Sequence, residues 1–268
     1  MLECRLVREP TVPLEAEVLC PDVVEGKDLD AIRALRLFHG KRPCTVGDFF
    51  EVTGAPSDRL RIVGDLKKVR WIGRSMTKGS IEITGDVGMH LGAHMKGGTI
   101  HVRGNVSDWL GAEMRGGLIV VHGDAGGQVG AAYRGDRFGM NRGTIWVRGN
   151  AGLEVGMRMR RGLIVIGGMV RDFAGLEMKG GTLVLLGGAE LRTGAWMRRG
   201  TIIALHPIKL MPTFRPSGTY SPTFLAVLTR YLRSLDVDLP VDLSAHIYQR
   251  WIGDSAALGK GELFLLAR

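Results

Sequence analysis

The 268-residue chain is 45% hydrophobic and only 6% aromatic but carries 40 glycines, and it is long enough to bury a substantial core, which excludes a disordered tail. Glycine never recurs at every third position, which excludes collagen, and no apolar run reaches the length of a membrane span. The net charge of +9 is concentrated in the middle: residues 1–59 hold 8 basic and 11 acidic side chains, residues 60–200 hold 21 and 11, and residues 201–268 hold 7 and 5.

The chain begins MLECRLVREP, with charges where a secretory leader needs an apolar core, so a soluble, cytoplasmic protein is expected. Cys4, Cys20 and Cys44 form neither a C-x-x-C pair nor a ligand cluster and read as buried or half-buried thiols in a reducing compartment. Residues 1–59 are predicted to be an N-terminal cap with a short helix near 28–33 and a strand or two around 48–53. Residues 60–79 read as an irregular first coil.

Residues 60–205 are governed by a repeat. Glycines 79, 98, 117, 143, 162, 181 and 200 are spaced by 19 residues except for one step of 26, and two further glycine series, from Gly73 and from Gly85, keep the same step. Each unit opens on an alternating segment such as Thr99-Ile100-His101-Val102-Arg103, which turns Ile81/Ile83, Ile100/Val102, Ile119/Val121, Ile145/Val147, Ile164/Ile166 and Leu183/Leu185 to one side. Such a unit cannot bury its apolar face alone, but stacked units bond edge to edge about 4.8 Å apart around a shared interior. Corner glycines supply positive φ, and Met76, Met95, Met114, Met159, Met178 and Met197 recur where a flexible thioether fills a corner. A step of 19 is not a multiple of six, and G-G-x-G-x-D runs are absent, so the left-handed hexapeptide and calcium-binding nonapeptide helices are set aside. The expected fold is all-β: a right-handed parallel β-helix of about seven coils. Seven extra residues, within 131–142, should project from its wall as a docking loop.

Residues 206–268 read as a C-terminal extension. Ser221-Pro222 starts a helix with Phe224, Leu225, Leu228, Tyr231, Leu232 and Leu235 at helical spacing. The outward position of the first strand reads Glu82, His101, Val120, Trp146, Val165, Val184, Ile203; an apolar row of that length needs a cover, either the C-terminal helix or another subunit, and the helix is the favoured one. Gly259-Lys260-Gly261-Glu262 lacks the Ser or Thr and the glycine spacing of a phosphate loop and reads as a strand turn.

The glycine repeat, Pro13-Leu14-Glu15-Ala16-Glu17, the interrupting Tyr133-Arg134-Gly135-Asp136-Arg137-Phe138-Gly139-Met140 and the terminal Gly253-Asp254-Ser255-Ala256-Ala257-Leu258-Gly259-Lys260-Gly261-Glu262 together resemble the C subunit of formylmethanofuran dehydrogenase over nearly the whole chain. The repeat alone is shared with the C-terminal domain of glutamate synthase. The resemblance implies a hetero-oligomer in which other subunits, hydrolase-like, formyltransferase-like and dehydrogenase-like, carry the chemistry. This chain would then be scaffold and docking surface, with no cofactor of its own. Two settings are open: the archaeal tungsten or molybdenum dehydrogenase, and the bacterial formyltransferase/hydrolase complex that uses tetrahydromethanopterin and a methanofuran analogue. A balance of 27 Arg to 9 Lys favours the second.

The candidate site is a basic row at the position after the methionine: Lys96, Arg115, Arg134, Arg160, Lys179 and Arg198. The resemblance supplies a ligand for it, a methanofuran-type carrier with a polyglutamyl chain, whose carboxylates suit a row of cations. Like charges about 5 Å apart in water repel by only about 0.8 kcal/mol, so a solvated stripe is the competing reading. His90 and His94 fall on a corner with no third ligand, and no metal is assigned. No catalytic residue is assigned: Glu113, Glu154 and Glu177 are scattered rather than clustered as in polysaccharide lyases, and Asp86, Asn105, Asp124 and Asn150 read as turn residues. No aromatic platform interleaves the cations, which argues against nucleic acid. An independent polyanion-binding protein is the reading of another class.

Overall fold

In the computed structural model, which describes residues 1–237 and 239–267, strands dominate and helices are few, so the chain is all-β in class. The repeat becomes a ladder: strands Arg59–Val63, Ser80–Thr84, Thr99–Arg103, Arg115–Val121, Arg142–Val147, Leu163–Ile166, Lys179–Leu185 and Arg199–Ala204 lie parallel, each bonded to the strand one unit on. The register sets Ile81 beside Ile100, then Ile119, Ile145, Ile164, Leu183 and Ile202, and all seven are wholly buried. A slip of one residue in any strand would turn its share of this row outward, so burial fixes the register. A second row of bridges, Leu66 to Val87, Val106, Ala125, Ala151 and Val170, ties the coils together on another side.

The corners behave as chemistry requires, with two differences from expectation. The methionine row is buried core, and Met140 joins it between Met114 and Met159, so the seven-residue insertion is 133–139. The Asp and Asn residues after the corner glycines reach across coils instead of closing their own turns: Asp86 Oδ1 accepts from Asn105 N at 2.7 Å, Asn105 Oδ1 from Asp124 N at 2.8 Å, Asp124 Oδ1 from Asn150 N at 2.7 Å, and Asn150 Oδ1 from Met169 N at 2.8 Å. The next coil lies about 4.8 Å away and presents an N–H that no backbone carbonyl at that corner takes up, so a short side-chain acceptor serves it.

At the N-terminal end, Leu2–Leu6 runs parallel to Arg59–Val63 and antiparallel to Phe50–Gly54. Strands Leu14–Glu15, Arg36–His39, Arg42–Thr45 and Val69–Arg70 form a small second sheet. Helices α1 (Pro21–Val24) and α2 (Leu29–Arg33) pack beside them, and Asp28 caps α2 by accepting from Ala31 N at 2.7 Å. The helix expected near 28–33 and one strand of the expected 48–53 stretch, Phe50–Gly54, are present; the Leu2–Leu6 strand and the small sheet are additions. Burial pushes the Cys4 and Cys20 thiols up to about 12, so both are inert, while Cys44 is half-buried.

Past Ala204 the chain makes an excursion and returns. Strands Arg215–Tyr220 and Tyr248–Gly253 pair antiparallel, and Lys260–Leu266 slots parallel against Arg199–Ala204, adding a rung that the repeat did not announce. Lys260 opens that strand, in keeping with a strand turn at 259–262. Helix α3 (Phe224–Ser234) buries Leu225, Thr229 and Leu232. Leu225 and Leu232 share one apolar cluster with the outward residues Val120, Trp146, Val165, Val184, Ile203 and Phe264. The helix is therefore the cover that the apolar row required.

Candidate functional site

Backbone bonding shows which residues follow the methionines in space. Lys96 N donates to Met76 O at 2.7 Å, Arg115 N to Met95 O at 2.7 Å, Asn141 N to Met114 O at 2.8 Å, Arg160 N to Met140 O at 2.9 Å, Lys179 N to Met159 O at 2.7 Å and Arg198 N to Met178 O at 2.8 Å. Asn141, not Arg134, holds the third place. Arg134 is carried off the row by the insertion and lies exposed in the loop, because the extra residues enter before Met140. The basic row is thus a pair, Lys96 and Arg115, and a triplet, Arg160, Lys179 and Arg198, separated by a neutral side chain.

The 133–139 loop lies against the wall and joins two clusters. At one end Tyr133 stacks on Trp109 with ring centroids 4.9 Å apart, and its hydroxyl lies 2.9 Å from His90 Nδ1. His90 in turn stacks on Trp71 at 4.1 Å, and Tyr133 N donates to Glu113 Oε1 at 3.1 Å. Trp71, His90 and Trp109 follow one another at the 19-residue step, so their rings pile up coil upon coil. Burial, with Arg70 and Arg74 nearby, lowers His90 to about 4, and burial pushes Glu113 up.

At the other end the loop backbone is held by cations. Arg158 Nη1 donates to Asp136 O at 3.0 Å and Lys179 Nζ to Arg137 O at 2.5 Å, while Arg160 and Lys179 sit 4.8 and 4.9 Å from the Phe138 ring centroid. Arg137, Lys179 and Arg198 then line a cleft of about 620 Å³ with Glu177, Trp196, Ala256 and Ala257. Glu177 is engaged by Arg158 through Nε at 3.0 Å and Nη2 at 3.2 Å, which holds its carboxyl low and leaves the cleft cationic. Burial, with Arg158 next, holds Lys179 below its ordinary range. Insertion loop, Lys179 and Arg198 of the triplet, and the terminal 253–262 segment therefore meet at one place. Lys96, Arg115 and Arg160 lie outside its lining, Arg160 instead sitting on the Phe138 ring.

Arg137, Glu177 and Trp196 were absent from the sequence candidates. Trp196 leaves a signal in the sequence: it shares a register with His94, Glu113, Ala132, Arg158 and Glu177, so one indole stands where the other units carry mostly polar side chains. Among the described residues no group of three or more His, Cys, Asp or Glu side chains is placed to hold a metal ion, and no helix is long and apolar enough to cross a membrane.

The His90 environment gives a pH prediction. Its folded value of about 4 lies below the ordinary 6.5, so between those limits the unfolded or opened chain binds more protons. Stability of the Tyr133 seat is full above pH 6.5 and declines as pH falls toward 4. Proton NMR should show the His90 ring neutral until close to pH 4; a midpoint near 6.5 would refute the buried stack.

Comparison with known proteins agrees with this architecture. The GXGXG motif family model matches residues 62–212, and one chain of the formyltransferase/hydrolase complex of Methylorubrum extorquens, solved with methylofuran, superposes with a TM-score of 0.89 at 32% identity, covering 99% of this chain and 100% of that one. The chain belongs to the GXGXG motif family and is homologous to formylmethanofuran dehydrogenase C subunits. The C subunit of the tungsten-containing formylmethanofuran dehydrogenase 2 of Methanothermobacter thermautotrophicus is 44% identical over 90 residues, 32% of this chain and 33% of that protein. Its counterpart in the molybdenum-containing dehydrogenase 1 of the same organism is 47% identical over 83 residues, 30% of this chain and 21% of that protein. The match spans about a third of the tungsten-type relative or less, so it reports a shared segment, whereas the likeness to the Methylorubrum chain runs end to end.

Proposed function

We propose that this chain is a non-catalytic scaffold and docking subunit of a cytoplasmic formyltransferase/hydrolase complex, acting on formyl-tetrahydromethanopterin and a formylmethanofuran analogue on the way to formate. The observation that carries the reading is the end-to-end likeness to one chain of such a complex, with 99% and 100% coverage. In this reading the parallel ladder is the wall of a right-handed β-helix of about seven coils over residues 60–205, with residues 1–59 as one cap and 206–268 as an extension. The hydrolase-like, formyltransferase-like and dehydrogenase-like subunits dock on it. The wall supports such a role because its contacts are backbone bonds and packed aliphatics, rigid and chemically inert.

The cationic triplet with the 133–139 loop is the proposed contact for an acidic subunit or for the polyglutamyl tail of the carrier. Local identity of 44% to the tungsten-enzyme relative favours the dehydrogenase as the second setting. Affinity capture of the tagged chain from its native host should return partner subunits in fixed ratio; a lone monomer would overturn the complex and favour an independent polyanion binder. Arg115→Glu, Arg160→Glu and Lys179→Glu together should leave the fold intact but weaken partner or carrier binding at least about tenfold at low salt. Unchanged assembly and carrier affinity would reduce the row to a solvated stripe.

A further inference from the structure

Trp196 stands between two clefts. On one side is the cationic cleft already described; on the other is a groove of about 460 Å³ lined by Phe173, Ala195, Met211 and Pro212 with Arg192 at its edge. Trp196 and Ala256 line both, so the two are adjacent. The indole is 54% exposed, yet its backbone is held in the left-handed region at φ +54°. That conformation belongs to the repeat corner, since Ser75, His94, Glu113, Arg158 and Glu177 hold it at the same register; where their N–H groups donate to a backbone carbonyl one unit on, Trp196 N donates at 2.9 Å to Asp254 Oδ2, a carboxylate only 3% exposed. A large ring is thus pinned at its base and left open on its faces.

The surroundings specify what fits. Beneath the groove lies a small apolar cluster of Ala131, Met157, Leu176 and Ala195, and Thr213 Oγ1 on the groove wall is buried with no hydrogen-bond partner among the described residues. Half-buried Lys179 has a carbonyl and a ring as its partners and carries no carboxylate ion pair among the described residues. An apolar floor, an unpaired hydroxyl and a rim of Arg137, Lys179 and Arg198 call for an elongated ligand with one apolar group, backbone polar groups and several carboxylates. Tryptophan and arginine are also the side chains that most often anchor protein interfaces.

We propose that this bipartite cleft receives an acidic polypeptide segment of a partner subunit, with one apolar side chain seated against the Trp196 indole and flanking carboxylates on Arg137, Lys179 and Arg198. The identity of the partner rests on the assembly reading, but the chemistry of the cleft does not. The test titrates the full chain, by calorimetry, with a blocked heptapeptide of six glutamates around a central phenylalanine. Comparison peptides replace the phenylalanine by glycine or the glutamates by lysines. The phenylalanine peptide should bind at least about tenfold more tightly than the glycine peptide and weaken steeply with salt, and the lysine peptide should not bind. Trp196→Ala should remove the phenylalanine preference, and Lys179→Gln should flatten the salt dependence; Arg198→Glu, at an exposed position, serves as a second variant if either misfolds. Equal binding of the phenylalanine and glycine peptides, no binding of any peptide, or an unaltered preference in Trp196→Ala would overturn the proposal. A chain that captures subunits but ignores the peptides refutes this cleft alone; one that prefers the phenylalanine peptide yet captures no subunit refutes the assembly reading alone.

Discussion

Gly85→Ala is expected to lower stability by about 4 kcal/mol or more, whereas Gly135→Ala is expected to be tolerated. A Cβ on Gly85 would lie 1.9 Å from the carbonyl oxygen of Gly64 on the preceding coil, and the residue holds φ +126°. The obstruction is backbone, so a coil must move. Forced shifts of this kind cost roughly 2 kcal/mol or more, and the strained backbone adds roughly 2 kcal/mol, against a total stability on the order of 5–15 kcal/mol. The same contact recurs at Gly104, whose Cβ would fall 2.3 Å from Gly85 O, so the closeness is a property of the wall. Gly135, in the insertion loop at φ +93°, has nothing within 4 Å and carries only the conformational cost of about 1 kcal/mol. Urea unfolding of both variants decides the matter; a Gly85→Ala midpoint close to the parent would mean that the coils do not approach as described.

Leu232→Asp should lift helix α3 from the sheet at a cost of about 4 kcal/mol, combining a lost aliphatic contact with a carboxylate buried among apolar groups. Leu232 is fully buried in the cluster that holds Trp146, Val165, Val184 and Ile203. Once the helix leaves, that row faces water as a continuous apolar strip, so dye binding and concentration-dependent aggregation should rise together. Val227→Asp is the control, because Val227 is 71% exposed on the opposite side of the same helix and the change should stay within about 0.5 kcal/mol. Aggregation without increased dye binding, or equal effects of the two substitutions, would mean that the helix is not the cover.

The candidate site was legible in part, and the reasons differ residue by residue. Arg160, Lys179 and Arg198 were found because they recur at the repeat step. Arg134 was misplaced by the same logic: counting 19 from Arg115 lands on it, but the insertion shifts the true successor to Asn141. Arg137 carried no periodic signal and enters the cleft only because Tyr133 at one end and Phe138 at the other seat the loop on the wall. Trp196 was visible as an odd ring in a polar register, but its exposure depends on where Asp254 and Ala256 return, 58 residues away in the case of the Asp254 bond.

From the amino-acid sequence alone came the 19-residue period, the inward rows, the methionine corner, the need for a cover over the Val120 to Ile203 row and the amphipathic helix to provide it. In a stacked repeat each residue touches the one a period away, so contact and periodicity are the same information. What only the tertiary structure decided are the contacts that break the period: Leu2–Leu6 on the first rung, Lys260–Leu266 on the last, the insertion loop laid across the coils, and the two-sided cleft at Trp196. These join segments whose separation obeys no repeat, and they are selected by the burial and hydrogen bonding that the finished wall makes available.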